Sequence, residues 1–279
     1  MRAKALRCAI FAAFGLLCLA ALPARAATIL VYHSFGVRSS MSISLPAFEA
    51  QLDFLEKNGN KVIGIDELVT TIAAGKNPPD GAVVIAIDDG WATVMAAFEV
   101  LKRRNLPFAV FLPMAYTANQ YCKVTLSQAD IDKLKAYPKV VFADHSFSHS
   151  PKLAKNEEFA RDDVRKSHER FRQVLGFDTK YFAYPYGATS EAYTRVLREA
   201  GYEYLFVTGD SPVSATTKVT SIPRIAANKL SLNVLASVLR NHAALMAKAK
   251  PAAPAVAPER DPTLASAAAP ADPSPRVVE

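Results

Sequence analysis

The feature that most constrains this chain is an alternation. Short apolar runs rich in β-branched residues recur along its middle, separated by longer stretches with apolar residues at helical spacing. Residues 28–32, 61–65, 83–87, 108–112, 140–143, 181–184, 204–208 and 221–226 read as strands. Helical patterns fit between them: 46–57 carries Phe48, Leu52 and Leu55 on one face, and 157–175, 190–199 and 230–245 follow the same rule. Strands alternating with helices mean repeated βα units around a parallel sheet. Such a sheet is either open and doubly wound or closed into a barrel, and in both the chemistry gathers at the carboxyl ends of the strands.

The two ends differ from this pattern. Arg2, Lys4 and Arg7 precede an apolar run from Cys8 to Leu22, and Ala24-Arg25-Ala26 supplies small residues for cleavage, so residues 1–26 read as an export signal. Spanning a membrane takes about 20 apolar residues, and Pro23 closes the run early, so no integral membrane segment is expected after cleavage. Leu17 before Cys18 argues against lipidation. The protein is thus expected to be exported, to the periplasm or beyond. Losing four basic residues lowers the formal charge from +7 to +3, which removes most of the basic character and leaves no nucleic-acid footprint. Cys122 is then the one remaining cysteine, so no intramolecular disulfide is expected. Residues 247–279 are rich in alanine and proline with almost no large apolar residue, a composition that predicts a disordered tail. Residues 27–246 remain as one folded domain.

Four clusters fall at predicted strand ends: Tyr32-His33, Asp88-Asp89-Gly90, His145-Ser146-Phe147-Ser148-His149 and Tyr184-Pro185-Tyr186-Gly187. Two adjacent carboxylates after an apolar strand repel each other and need a cationic neighbour. On an extended chain they point opposite ways, so one is free to bind a metal while the other acts as a base; an Asp-Gly turn with a helix cap is the plainer alternative. Imidazoles four apart share one face of a helical turn, which also suits two surface residues. If they meet a carboxylate at the same mouth, they make a three-ligand zinc site with a position open to water.

These residues resemble the polysaccharide deacetylase family, the NodB homology domain. Ala86-Ile87-Asp88-Asp89-Gly90 matches its first motif, residues 145–149 its second (His-Ser/Thr-x-x-His), and Pro185-Tyr186-Gly187 the end of its third. The resemblance covers roughly residues 28–239 and implies a distorted (β/α) barrel of about seven strands in a single domain. It implies a metal-dependent hydrolase acting on an acetylated polysaccharide, with Asp88 as general base, Asp89, His145 and His149 as metal ligands, and the Tyr186 backbone N–H stabilising the oxyanion. Zn²⁺ suits that donor set, and Co²⁺ or Ni²⁺ fits the same ligands.

Two departures carry information. Ala183 stands where the family's third motif has an arginine that orients the base, and the late Leu-x-His that supplies the general acid has no match, since His242 follows the last predicted strand. The biofilm poly-N-acetylglucosamine deacetylases share an Ala-Tyr-Pro third motif and an early Tyr-His pair, and that branch implies His33 as the acid. Arg224, in Ile222-Pro223-Arg224-Ile225, is a replacement for the missing arginine from another strand end. Trp91 and Tyr184 are expected to wall a sugar ring or acetyl methyl, whereas Phe111 and Phe147 read as packing. A degenerate binding module of the same fold and an O-acetyl esterase acting on xylan are the competing readings.

Overall fold

The computed structural model describes residues 26–122 and 124–248. Apart from Ala26 and the end of the last helix, the expected export signal and the Ala/Pro-rich tail lie outside the described residues. In chain order the elements are β1 (Ala27–Tyr32), β2 (Ser34–Phe35), β3 (Ser42–Ile43), α1 (Leu45–Lys57), α2 (Ile65–Ala73), β4 (Ala82–Ile87), α3 (Val94–Arg103), β5 (Phe108–Leu112) and α4 (Gln128–Lys135). Then follow β6 (Val140–Asp144), α5 (Glu157–Leu175), β7 (Tyr181–Ala183), a 3₁₀ turn at Pro185–Gly187, α6 (Glu191–Glu199), β8 (Tyr204–Thr208), β9 (Ile222–Ala226) and α7 (Leu232–Lys248).

Seven strands close into a barrel in the order β1-β4-β5-β6-β7-β8-β9, all parallel, with β1 pairing back onto β9 through Leu30–Ile225 and Val31–Ala226. The single-domain (β/α) barrel implied by the family resemblance is the fold observed. Successive side chains on a strand face opposite sides, and the packing follows this rule. Ile29, Val31, Val84, Ala86, Ala109, Phe111, Ala143, Ala183 and Phe206 form one cluster, the barrel interior. Their neighbours Leu30, Tyr32, Ile85, Ile87, Val110 and Leu112 pack in a second cluster with α1, α3 and α4, and Phe182 and Leu205 in a third with α5 and α6.

The strand expected at 61–65 is not there. Val62 makes one isolated bridge to Val83, the chain turns at Gly64, and Ile65 opens α2. Ile65 continues at helical spacing into Leu68, Val69 and Ile72, all buried in the interior cluster. A short apolar run is ambiguous between strand and helix, and here the later residues decide. Each large apolar side chain so buried contributes roughly 1.5–3 kcal/mol, and Asp66 on the same helix accepts from the Tyr181 hydroxyl at the start of β7. The helix therefore closes the amino-terminal end of the barrel and leaves the carboxyl end as its mouth. Helix α4, begun by a capping box of Ser127 and Asp130, was likewise not foreseen. No helix among the described residues is long and apolar enough to cross a membrane.

Candidate active site

Strand alternation decides which residues reach the mouth. Val31 and Ala86 face inward, so His33 and Asp88, two positions on, face inward as well. Asp89 follows immediately, and on an extended chain it would point away. It does not, because Asp89 takes φ 70 and Gly90 φ 60, which turns the chain back on itself. Gly90 at φ 60 suits glycine, and a Cβ there would also press Leu112 Cδ2 at 2.9 Å, so a substitution is strained. Both carboxylates thereby line one cavity of about 290 Å³.

His145 and His149 line the same cavity, with ring centroids 4.8 Å apart. The helical turn that their spacing suggested is absent: 145–149 is irregular, with Ser146 at φ 72 and His149 at φ 51. Two left-handed residues, costly for side chains other than glycine, bring the rings together instead. His145 Nδ1–H donates to the Ala183 carbonyl at 2.8 Å, which directs Nε2 into the cavity. His145 Nε2 lies 3.7 Å and His149 Nε2 3.3 Å from Asp89 Oδ1. The three ligand atoms lie within 4.8 Å of one another. Ligands about 2.0–2.1 Å from a tetrahedral zinc are spaced near 3.4 Å, so the cluster fits a divalent transition metal. The outer oxygen of Asp89 accepts the Trp91 indole N–H at 3.2 Å.

Asp88 has a different partner. Arg224 grips it with two bonds, Nη1 to Oδ1 at 2.7 Å and Nη2 to Oδ2 at 2.8 Å, and both residues are buried. The guanidinium lies 4.7 Å from the Phe111 ring centroid and 6.0 Å from that of Phe206, which seat it inside the barrel. Burial works to raise the Asp88 pKa, but the charge and hydrogen bonds of Arg224, with His145 and His33 adding, outweigh it and hold the carboxyl at about 2. For His145, burial dominates and lowers the pKa to about 4 despite the nearby Asp88, so its imidazole is neutral, the form that ligates metal. It is thus an arginine of β9 that stands against Asp88.

His33 Nδ1 lies 3.1 Å from Asn228 Oδ1. Because the Asn228 amide nitrogen donates to the Met41 carbonyl, its oxygen faces the imidazole, Nδ1 carries the proton, and Nε2 is left for proton exchange with a ligand. Tyr186, at φ 60, sits on the cavity rim with its ring 4.6 Å from that of His149. Gly187 beside it is required, since a Cβ would meet Thr208 Oγ1 at 2.7 Å. Tyr184 is among the residues that line the cavity, although it is buried. Its ring packs with Phe182 and Tyr193 and its hydroxyl pairs with Thr194. Trp91 is partly exposed and also lines an apolar groove with Val37 and Val124. Phe111 and Phe147 pack as read. His242 is far from the mouth: it joins Thr28 Oγ1, on the outer face of β1, to the Asp210 carbonyl and ties α7 to the barrel.

Asn228 was not foreseen, nor were two acids behind the second cluster. Asp144 and Asp163 are buried and accept backbone amides of the 146–148 segment. Asp163 did leave a signal, a carboxylate on the apolar stripe of α5 between Ala160 and Ser167. Asn228 left none.

Residues 75–205 match the family profile described as polysaccharide deacetylase. That segment holds Asp88, Asp89, His145, His149 and Tyr186, and leaves His33 and Arg224 outside it. Barrel, cluster and profile together make the chain similar to the polysaccharide deacetylases, hydrolases that act on amide bonds. Among curated relatives, the poly-beta-1,6-N-acetyl-D-glucosamine N-deacetylase of Staphylococcus epidermidis is 25% identical over 195 residues, 66% of this chain and 67% of that protein. The structure of IcaB from Ammonifex degensii has the same fold, with a TM-score of 0.69 at 24% identity over 77% of this chain and 97% of that one. So does the Streptococcus pyogenes deacetylase PplD solved in complex with acetate, with a TM-score of 0.69 at 19% identity over 77% and 98%. These relatives bear out the resemblance to the poly-N-acetylglucosamine branch.

Proposed function

We propose that the protein is an exported, metal-dependent deacetylase that removes N-acetyl groups from a cell-surface or extracellular polysaccharide: poly-N-acetylglucosamine, a chitin-like chain or peptidoglycan. One observation carries the reading: a buried carboxylate kept ionised by Arg224 shares a cavity with a separate three-ligand cluster. Asp89, His145 and His149 would hold the ion, Zn²⁺ by donor set, with Co²⁺ or Ni²⁺ also accepted. When bound, such an ion supplies Lewis acidity that activates water and polarises the acetyl carbonyl. Asp88 then serves as base and takes the proton of the attacking water. Arg224 keeps its carboxylate ionised and aimed. The Tyr186 amide donates to the oxyanion that forms. As the carbon–nitrogen bond breaks, His33 Nε2 gives a proton to the departing nitrogen, leaving acetate and a free amine on the sugar. Trp91, hydrogen-bonded to Asp89 and lining the neighbouring apolar groove, offers a surface for a sugar ring.

The test is acetate release from poly-N-acetylglucosamine, chitin oligomers, peptidoglycan and acetylated xylan, each with and without chelator. Chelator-sensitive release from an N-acetylated glycan is expected, together with about one bound transition metal that is lost in the His145→Ala/His149→Ala double variant. Release from xylan alone makes the protein an esterase. Release indifferent to chelation removes the metal, and binding without release leaves a degenerate member.

A further inference from the structure

The segment that carries His145 and His149 has an uphill backbone. Ser146 at φ 72 and His149 at φ 51 each adopt a left-handed conformation that side chains other than glycine rarely take. What holds the segment there lies behind it. Ser146 N–H donates to Asp144 Oδ1 at 2.8 Å, Phe147 N–H to Asp163 Oδ1 at 2.8 Å, and Ser148 N–H to Asp163 Oδ2 at 2.9 Å. The fourth amide, of His149, donates to Ser146 Oγ at 2.9 Å. Four consecutive N–H groups are therefore satisfied, three of them by carboxylates, whose charge-assisted bonds are roughly twice as strong as neutral ones.

The two acids are themselves fixed. Asp144 Oδ1 also accepts from Ser167 Oγ at 2.6 Å and its Oδ2 from the Tyr202 hydroxyl at 2.6 Å. Asp163 and Ser167 stand four residues apart on the buried stripe of α5, so one helix face braces the whole segment. Neither acid is among the groups that line the cavity. A carboxylate on the apolar stripe of a helix is expensive to bury, and at this place an apolar residue would serve packing better. The amides it receives are those between the two imidazoles.

We propose that Asp163, backed by Asp144, is a positioning residue for the ligand set: by anchoring the amides of Phe147 and Ser148 it sets the backbone twist that makes His145 and His149 converge on Asp89. The inference rests on the metal reading above. It separates from a plain folding role because a folding role moves the melting temperature of the metal-free protein and leaves the affinity of the folded protein alone.

The experiment uses the full mature chain and its Asp163→Asn variant, which keeps the shape but faces an amide N–H₂ toward one of the backbone donors. Zn²⁺ affinity is measured by competition with a chromophoric chelator, the Co²⁺ form by its visible absorption, and the metal-free fold by circular dichroism. The expected result is affinity weaker by about 10–100-fold, the usual effect of removing an outer partner of a ligand. A shifted Co²⁺ spectrum and a lower kcat with KM unchanged should accompany it, and Asp163→Glu, which restores two acceptor oxygens, should recover part of the loss. A folded Asp163→Asn protein with wild-type affinity and Co²⁺ spectrum overturns the proposal. Should that variant not fold, Ser167→Ala/Tyr202→Phe releases Asp144 more gently: weaker metal binding supports the brace, and unchanged binding overturns it. Failure of wild type to bind metal at all sinks the functional reading, an outcome distinct from wild type and variant binding alike.

Discussion

On the outer face of α5 and α6, Arg161 reaches Glu157 at 2.8 Å and Glu199 at 2.6 Å, and Arg165 reaches Asp162 and Glu169 at 2.8 Å each. Inside the barrel, Arg224 reaches Asp88 over nearly the same distances, 2.7 and 2.8 Å. The bond lengths do not distinguish the two regions; the solvent does. The outer pairs are largely exposed, so water and salt screen them and ordering two long side chains offsets much of the gain. The inner pair is withdrawn from water on every side, at a desolvation cost that good geometry only repays in part. Exposed pairs adapt a surface to water, whereas a buried pair beside a ligand cluster is there for what the charge does. Here it keeps the Asp88 carboxylate ionised 3.7 Å from the His145 imidazole.

Mutation should separate the regions sharply. The largest effect is expected from Asp88→Asn, which should retain metal and lose about two to four orders of magnitude in rate; near wild-type turnover would mean that another group is the base. His33→Ala comes next. It should keep fold and metal yet lose most of its turnover on acetamides, while aryl acetates, whose leaving groups need no proton, suffer much less. Equal losses on both substrates would make His33 a shaping residue.

Arg224→Met should be smaller in rate and large in stability. It strands a buried carboxylate, which costs about 3–5 kcal/mol, a fall of roughly 10 °C in a domain of this size. With the guanidinium gone the Asp88 pKa rises, so the acidic limb of the kcat/KM profile should move to higher pH, because the base is protonated sooner as pH falls. The Asp88→Asn/Arg224→Met double variant should regain much of the stability that Arg224→Met alone loses; if it does not, the loss was packing against Phe111 and Phe206. At the bottom of the scale, Arg161→Ala and Glu199→Ala, singly or together, should leave melting temperature and activity unchanged within error. A measurable coupling there would show that the surface network supports α5, and through it the brace behind His145.

Much of this was legible in the chain. Residues 28–32 and 83–87 are short apolar runs rich in β-branched residues, so both strands follow from local composition. Asp88, Asp89, His145 and His149 stand out because motif residues sit at strand ends, where any βα protein places its chemistry. Other features had no local signature. Residues 61–65 could be strand or helix until Leu68 and Ile72 were seen to plug the barrel, and the histidine spacing suggested a helical turn where the chain uses left-handed residues.

What the sequence by itself determined is the set of periodic elements and the chemical types gathered at their ends, since those depend on neighbours a few residues away. Only the tertiary structure decided the partners. Arg224 meets Asp88 across 136 residues, Asn228 meets His33 across 195, and Asp163 reaches back from α5 to amides that no side-chain pattern marks. A contact made by barrel closure depends on where distant strands come to lie, and a backbone amide looks the same in every residue; neither is written in local spacing.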